Sequence, residues 1–377
     1  MGKESTQDQL RALRDRLDQV DGGMIELAAE RQRIVSEIGR VKQGEGRQLR
    51  DFRRERQVIE LVRAKAERVG LDPAVAEDLL KRLITASLTR QEQERGKLAA
   101  QGVGRRALII GGGGLMGGWL AGFLENQGFD VLLADPVYAE SASATNCYAR
   151  WQDAPADVDL IVVAAPIRAS VGIIDTLTQA GSKALVFEVA SIKSPLIDPL
   201  RRAAQSGLTI CSVHPMFGPD TRLLSGRHVL LMDAGCSAAV DQVADLFADT
   251  MAEVTRIPLA DHDRLIALVL GLSHAINIAF FTALEKSGVR ADQLAGISST
   301  TFQRQLDIAR DVAEENPDLY FEIQSLNEHA PAARAALNEA VQALQASIDE
   351  GDADAFRSLM LSGRGYLGRL GGPKGER

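Results

Sequence analysis

Apolar residues recur at helical spacing over residues 8–42, where Leu10, Leu13, Leu17, Val20, Met24, Leu27, Ile34, Ile38 and Val41 form a seam that no proline interrupts. The pattern predicts one helix roughly 50 Å long at about 1.5 Å per residue. A lone helix of that length cannot bury its own stripe, so an intertwined dimer is expected. Gly44 and Gly46 mark a loop, after which residues 51–69 read as a second helix. Asp72 as N-cap and Pro73 at the first helical position open a third, with Leu79, Leu80, Leu83, Ile84 and Leu88 on its buried side. Beyond a polar, glycine-bearing stretch at 92–105 the period changes. Residues 107–110, 131–134, 158–165, 184–190, 209–213 and 228–232 are short apolar runs alternating with helical stretches. That alternation predicts a parallel, doubly wound sheet with ligands at the C-terminal ends of its strands. From residue 261 the spacing is helical again, and residues 275–284 are apolar nearly all round, as in a helix buried between subunits.

The first strand of the sheet region runs into Gly112, Gly114 and Gly117, at G-x-G-x-x-G spacing, and then into a helix and a second buried strand ending on Asp135. Strand before, helix after and acid about 20 residues on are the context in which such glycines carry meaning. They permit a tight turn, close backbone approach to a pyrophosphate, and packing of helix on strand. The N–H groups around Leu115 and Met116, at the helix N-terminus, would take the phosphates. Asp135 would accept hydrogen bonds from a ribose 2′-hydroxyl and repel a 2′-phosphate, which favours NAD over NADP.

Composition narrows the classes. The chain has 377 residues, 45% hydrophobic and 25% charged, with a net charge of −8; this fits a soluble enzyme and argues against a general nucleic-acid binder. Cys147, Cys211 and Cys236 are scattered without ligand spacing, so a reducing compartment, the cytoplasm, and no metal site are expected. No apolar run of membrane-span length stands out in the sequence, and the N-terminus is polar, so no membrane partner is expected.

Arg31 breaks the apolar seam of the first helix, and a guanidinium there needs an anionic partner. Arg14 and Lys42 lie on the adjacent stripe, roughly 40 Å apart at the helical rise, too far to share one small ligand on a single chain. Asp51, Arg54 and Glu55 open the second helix, and Ser87 and Gln91, four apart, share a face of the third. With the runs LRDRLDQVD, AERQRIVSEIGRVK, RDFRRER and SLTRQ, this unit resembles the small all-helical chorismate mutases, which dimerise by exchanging helices. The resemblance implies that Arg14 from the partner chain, Arg31, Lys42 and Arg54 surround the carboxylates and ether oxygen of chorismate. It implies that Asp51, Glu55, Ser87 and Gln91 meet its hydroxyl and the breaking ether bond. The rearrangement to prephenate is pericyclic, so fixed cations suffice to stabilise a polarised transition state.

His214 ends a buried strand and is followed by Pro215 and by Phe217-Gly218-Pro219-Asp220, which places it at the cleft expected for a nicotinamide. A neutral imidazole there would take the proton of a hydroxyl as hydride leaves the same carbon. VHPMFGPD, GGGGLMG, AAPI and EVASIKSPL resemble motifs of the prephenate dehydrogenases. A mutase ahead of such a dehydrogenase is similar to the bifunctional enzymes of bacterial tyrosine biosynthesis. The resemblance implies oxidative decarboxylation of prephenate to 4-hydroxyphenylpyruvate with NAD reduced, and dimerisation through the C-terminal helices. His262 and His274, twelve apart, match the family's spacing; His274 is implied to bind substrate. An ungapped count places two family arginines at Gln303 and Asp311, beside Arg304 and Arg310, and Arg310 is nominated for a substrate carboxylate, with Arg304 after it.

The expected architecture is therefore multidomain. An all-α mutase unit spans 1–95, with a linker at 96–105. An α/β Rossmann-type domain spans 106–260 and an all-α dimerisation and substrate domain 261–377. Other readings keep the dehydrogenase but assign it arogenate or 4-amino-4-deoxyprephenate, or make the helical unit a non-catalytic binding module.

Overall fold

The computed structural model describes residues 2–44, 52–99, 101–140 and 146–369. Three helices come first, α1 (Gly2–Gly44), α2 (Phe52–Val69) and α3 (Pro73–Ala99). The side chain of Asp72 accepts the N–H of Ala74 at 2.8 Å, which caps α3 as its sequence predicts. The α3 helix runs on to Ala99 through the stretch whose polarity marks it as a linker. Glu92, at the start of that stretch, accepts the N–H groups of Leu224 and Met251, which lie between strands of the α/β part.

The α/β part follows as β1 (Arg106–Ile110), α4 (Leu115–Asn126), β2 (Asp130–Ala134), β3 (Cys147–Tyr148), β4 (Leu160–Val163), α5 (Ile167–Ala180), β5 (Leu185–Glu188), α6 (Ile197–Gln205), β6 (Ile210–Pro215), β7 (His228–Asp233), α7 (Ser237–Ala248) and β8 (Glu253–Arg256). The sheet order is β3-β2-β1-β4-β5-β6-β7-β8. The first six strands thus follow the doubly wound 3-2-1-4-5-6 order, whose switch point lies between β1 and β4. One pairing corrects the all-parallel expectation: β7 runs antiparallel to β6, with His214 opposite Leu230. Residues 216–227 join these two strands without a helix, so the chain has no crossover with which to return parallel. On one face of the sheet, Ile109, Val162, Phe187 and Val213 pack against Leu120 and Leu124 of α4 and Val243 and Phe247 of α7.

The remaining helices are α8 (Leu259–Ile266), α9 (Ser273–Lys286), α10 (Ala291–Gly296), α11 (Thr300–Glu314), α12 (Pro317–Leu326), α13 (Ala330–Asp349) and α14 (Ala353–Gly368). One wide, π-type turn (Ala267–Leu272) joins α8 to α9. Gln324 donates to the Gly271 carbonyl of that turn at 2.7 Å and is itself held by Arg334. The merged run Leu259–Lys286 is long and apolar enough to cross a membrane by length and composition alone, a run that the sequence reading does not register. Its buried His262, Asp263, His274 and Asn277 are the polar groups of a helical-bundle interior.

By proximity along the Cα trace, the chain forms two compact units. The first comprises Met1–Ala165, Thr176–Val189 and Ala203–Arg256, and the second Pro166–Asp175, Ala190–Arg202 and Ile257–Arg377. The leading helices and the sheet thus fall in one unit.

Candidate functional site

Three clusters hold the residues that carry chemistry. In the first, α1 and α3 run in the same direction where they meet. The Arg31 guanidinium donates to the Leu83 carbonyl (3.1 Å) and to Ser87 Oγ (2.8 Å), and Ser87 Oγ donates to the same Leu83 carbonyl (2.7 Å). Burial pulls the Arg31 pKa below its ordinary value, although a guanidinium stays charged. One turn further along, Gln91 Nε2 donates to the Val35 carbonyl at 2.6 Å. Gly39 makes room for it, since a Cβ there would lie 2.8 Å from Gln91 Nε2. Arg31, Ser87 and Gln91 are therefore brought together, and Gly39 is a contributor that spacing alone does not reveal.

Arg14 is exposed on α1, 17 residues before Arg31 and so roughly 25 Å away along the axis. Arg54 is exposed on α2. Asp51 and the side chains of Lys42 and Glu55 lie outside the described residues.

The second cluster sits at the switch point of the sheet. Gly111, not Gly112, takes the left-handed turn that ends β1, at φ 92°. A Cβ on Gly117 would strike the Gly111 carbonyl, so the third glycine of the motif serves close packing of α4 on the turn. Gly112 is buried against Leu133, and Gly114 is the N-cap of α4, with no side chain capping it. Leu115 and Met116 form the first turn of that helix. The Asp135 carboxylate accepts the N–H of Gly113 (3.2 Å) and of Val137 (3.0 Å), which ties the glycine loop to the end of β2. Four successive glycines offer several motif frames, and the sequence reading passes over Gly111 and Gly113.

His214 is buried near the end of β6. Ser212, two positions earlier and so on the same face of the strand, donates its hydroxyl to the Glu188 carboxylate at the end of β5. Both are fully buried. The sequence signal for Glu188 is a carboxylate closing the apolar run LVFE.

The third cluster lies in the C-terminal helices. The His274 ring stacks on Tyr320, with centroids 4.1 Å apart, and burial lowers its pKa to about 4, so the imidazole is neutral. Its Nδ1 is buried without a hydrogen-bond partner. One turn on, Asn277 Oδ1 accepts from Gln305 Nε2 at 2.8 Å. Gln305 is a polar contact of this cluster that the sequence reading misses.

Arg310 points away from that pair. It is exposed and, among the described residues, pairs with Asp307 at 3.5 Å, and Arg304 is likewise exposed. His262 Nδ1 lies 2.6 Å from the carboxylate of Asp263. That carboxylate also accepts the N–H of Lys193 (2.8 Å), the N–H of Ser194 (2.6 Å) and the Ser194 hydroxyl (2.5 Å). Burial alone would push the Asp263 carboxyl up, but these hydrogen bonds outweigh it and hold the carboxyl below its ordinary value. His262 is thereby tied into the hydrogen-bonded cluster around Asp263. Among the described residues no group of three or more His, Cys, Asp and Glu side chains is placed to hold a metal.

Residues 13–92 match the chorismate mutase type II family. Residues 120–256 match the nucleotide-binding domain of prephenate dehydrogenase, and residues 258–362 match its dimerization domain. The T-protein of Enterobacter agglomerans is 27% identical over 351 residues, which cover 92% of this chain and 90% of that one. The 4-amino-4-deoxyprephenate dehydrogenase of Streptomyces pristinaespiralis is 29% identical over 71% of this chain and 92% of its own. In structure, the chain resembles the prephenate dehydrogenase of Aquifex aeolicus, solved with hydroxyphenyl propionate and NAD+. The TM-score is 0.54 at 18% identity, covering 71% of this chain and 98% of that one. A type II mutase domain, a nucleotide-binding domain and a dimerisation domain follow one another, and the chain belongs to the bifunctional chorismate mutase/prephenate dehydrogenase family of tyrosine biosynthesis.

Proposed function

We propose that the chain converts chorismate to prephenate in its leading helices and oxidises that prephenate in the α/β and C-terminal parts. The observation that supports this best is the Arg31 cluster. Its NH1 group is occupied by Leu83 and Ser87, which leaves the other edge of the fork for a substrate carboxylate. Arg31 and Gln91 would steady charge on the breaking ether, with Lys42 and Glu55 beside them, while Asp51, Arg54 and Ser87 orient the substrate. Arg14 would arrive from a partner chain. The apolar stripe of α1 supports that homodimer, because Leu13, Leu17, Val20 and Leu27 are all more than half exposed.

The glycine loop fits NAD. The uncapped helix start at Leu115 and Met116 suits a pyrophosphate, and the tethered Asp135 suits a ribose diol. NAD held there would supply the hydride acceptor. His214 takes the proton of the prephenate hydroxyl and returns it to the phenol oxygen once carbon dioxide has left and the ring is aromatic. His274, neutral and with an unused Nδ1, would hold the substrate. The setting this reading implies is the cytoplasm.

One experiment tests both halves: enzyme with chorismate and NAD, following chorismate loss and NADH appearance together. Both signals are expected. Loss of chorismate without NADH would assign the dehydrogenase to arogenate or 4-amino-4-deoxyprephenate, the outcome suggested by Gln303 and Asp311 at the arginine positions. NADH formed from added prephenate without chorismate loss would make the helices a binding module.

A further inference from the structure

Residues 216–227 follow His214 and lead from β6 to β7. The Met216 N–H donates to the His228 carbonyl at 2.9 Å, which closes the base of the segment. Trp119, on α4, donates its indole N–H to the Thr221 carbonyl at 2.7 Å and lies edge-on to Phe217, with ring centroids 4.9 Å apart. The third anchor comes from outside the sheet. The Glu92 carboxylate accepts the Leu224 N–H at 2.9 Å and, on its other oxygen, the Met251 N–H at 2.7 Å. Glu92 is only 8% exposed. Burial pushes its carboxyl up, and the two backbone N–H groups oppose that shift. A carboxylate is kept inside a protein when such donors meet both of its oxygens.

Glu92 belongs to α3, the helix that also carries Ser87 and Gln91. Gln91 reaches α1 through the Val35 carbonyl and the space beside Gly39. Successive helical side chains point about 100° apart, so one turn of α3 grips the mutase helices with one residue and the nucleotide-binding domain with the next.

We propose that Glu92 is a positioning residue of the dehydrogenase, one that holds segment 216–227 behind His214 and sets its register against the mutase site. The proposal rests on the bifunctional reading given above. It follows that a ligand drawing on Gln91 displaces the same turn of α3 that meets Leu224, and the segment behind His214 responds.

The test uses the full-length chain with Trp151→Phe, which leaves Trp119 as the single tryptophan of the two. Two variants are made in it. Glu92→Gln has the same shape, but its amide oxygen accepts one N–H while its NH2 faces the other. Glu92→Asp keeps the charge and falls short of one donor. Three quantities are read: mutase rate on chorismate, dehydrogenase rate on prephenate with NAD, and Trp119 emission as a bicyclic dicarboxylate mimic of the pericyclic transition state is added.

Both variants are expected to lose about tenfold in dehydrogenase kcat/KM, mainly through KM for prephenate, while mutase rates stay within twofold. The mimic is expected to shift Trp119 emission in the parent chain and not in Glu92→Gln. Dehydrogenase KM unchanged in both variants would overturn the positioning role. An unmoved Trp119 signal in the parent, at concentrations of mimic that inhibit the mutase, would overturn the register between the two sites. A parent chain with no mutase activity would instead refute the bifunctional reading, and the dehydrogenase kinetics of the two variants would still decide the role of Glu92.

Discussion

Replacing Arg31 by alanine separates the mutase chemistry from the stability of the helices around it. The guanidinium has five N–H donors. Two contacts, to the Leu83 carbonyl and Ser87 Oγ, both come from NH1, so three N–H groups on Nε and NH2 remain to meet a ligand. Removing one preorganised charged donor from a transition state costs about 3–4 kcal/mol, or 10²–10³ in rate. Little stability should be lost with it, because Ser87 Oγ already donates to the Leu83 carbonyl and no buried acceptor is orphaned. The expectation is a loss of about 10²–10³ in kcat/KM for chorismate, followed by its ultraviolet absorbance, with the melting temperature within a few degrees of wild type. Arg31→Lys keeps the charge and loses the fork, and should recover only part of the rate. Dehydrogenase activity on added prephenate should be unchanged. Mutase activity within twofold of wild type in Arg31→Ala would refute the reasoning, whatever the other half of the chain does.

His214→Asn should lower the dehydrogenase rate by about 10²-fold or more with the mutase intact, and near-normal hydride transfer would remove His214 from the mechanism. Asp135→Ala should raise KM for NAD about tenfold, since it frees the Gly113 N–H as well as the ribose, and should narrow the preference over NADP; an unchanged cofactor ratio would count against it. His274 has its folded pKa lowered to about 4 from 6.5. The unfolded chain therefore binds the extra proton between those values, so this contribution to stability is complete above pH 6.5 and is lost as pH falls towards 4. Thermal melts across that range should show the decline, and His274→Asn should flatten it; an equal slope in both proteins would assign the acid sensitivity elsewhere.

Much of this was legible in the residues themselves. The three leading helices, the glycine turn with Asp135, and the strand ending at His214 follow from period and punctuation, because each depends on neighbours within a few residues. What escaped depends on distant partners. Residues 92–105 read as a linker or a fraying helix end, and the burial of Glu92 escaped because the two N–H groups that receive it belong to Leu224 and Met251. The direction of β7 escaped because its apolar run of four residues, 229–232, carries no sign of its polarity; the direction is set by the helix-free segment before it. Gln305 lay on a polar stretch of α11 and gained meaning only from Asn277, 28 residues away. Arg310, nominated by an ungapped count, lies on the exposed face of the same helix.

The wide turn at Ala267–Leu272 changes what the count between His262 and His274 means. On a regular helix, at about 100° per residue, twelve residues would leave the two rings about 120° apart around the axis. One extra residue absorbed in the turn removes about 100° of that and leaves about 20°, so both rings come to one side. Both are indeed buried, one against Asp263 and the other on Tyr320. The helical run therefore behaves as two ratchets offset by one tooth, with Gln324 as the pawl on the Gly271 carbonyl. Deleting one residue from 267–272 would let the run close as a regular helix with the two histidines eleven apart, again about 20° from one another, so His274 would keep its side and only the wide turn would be lost.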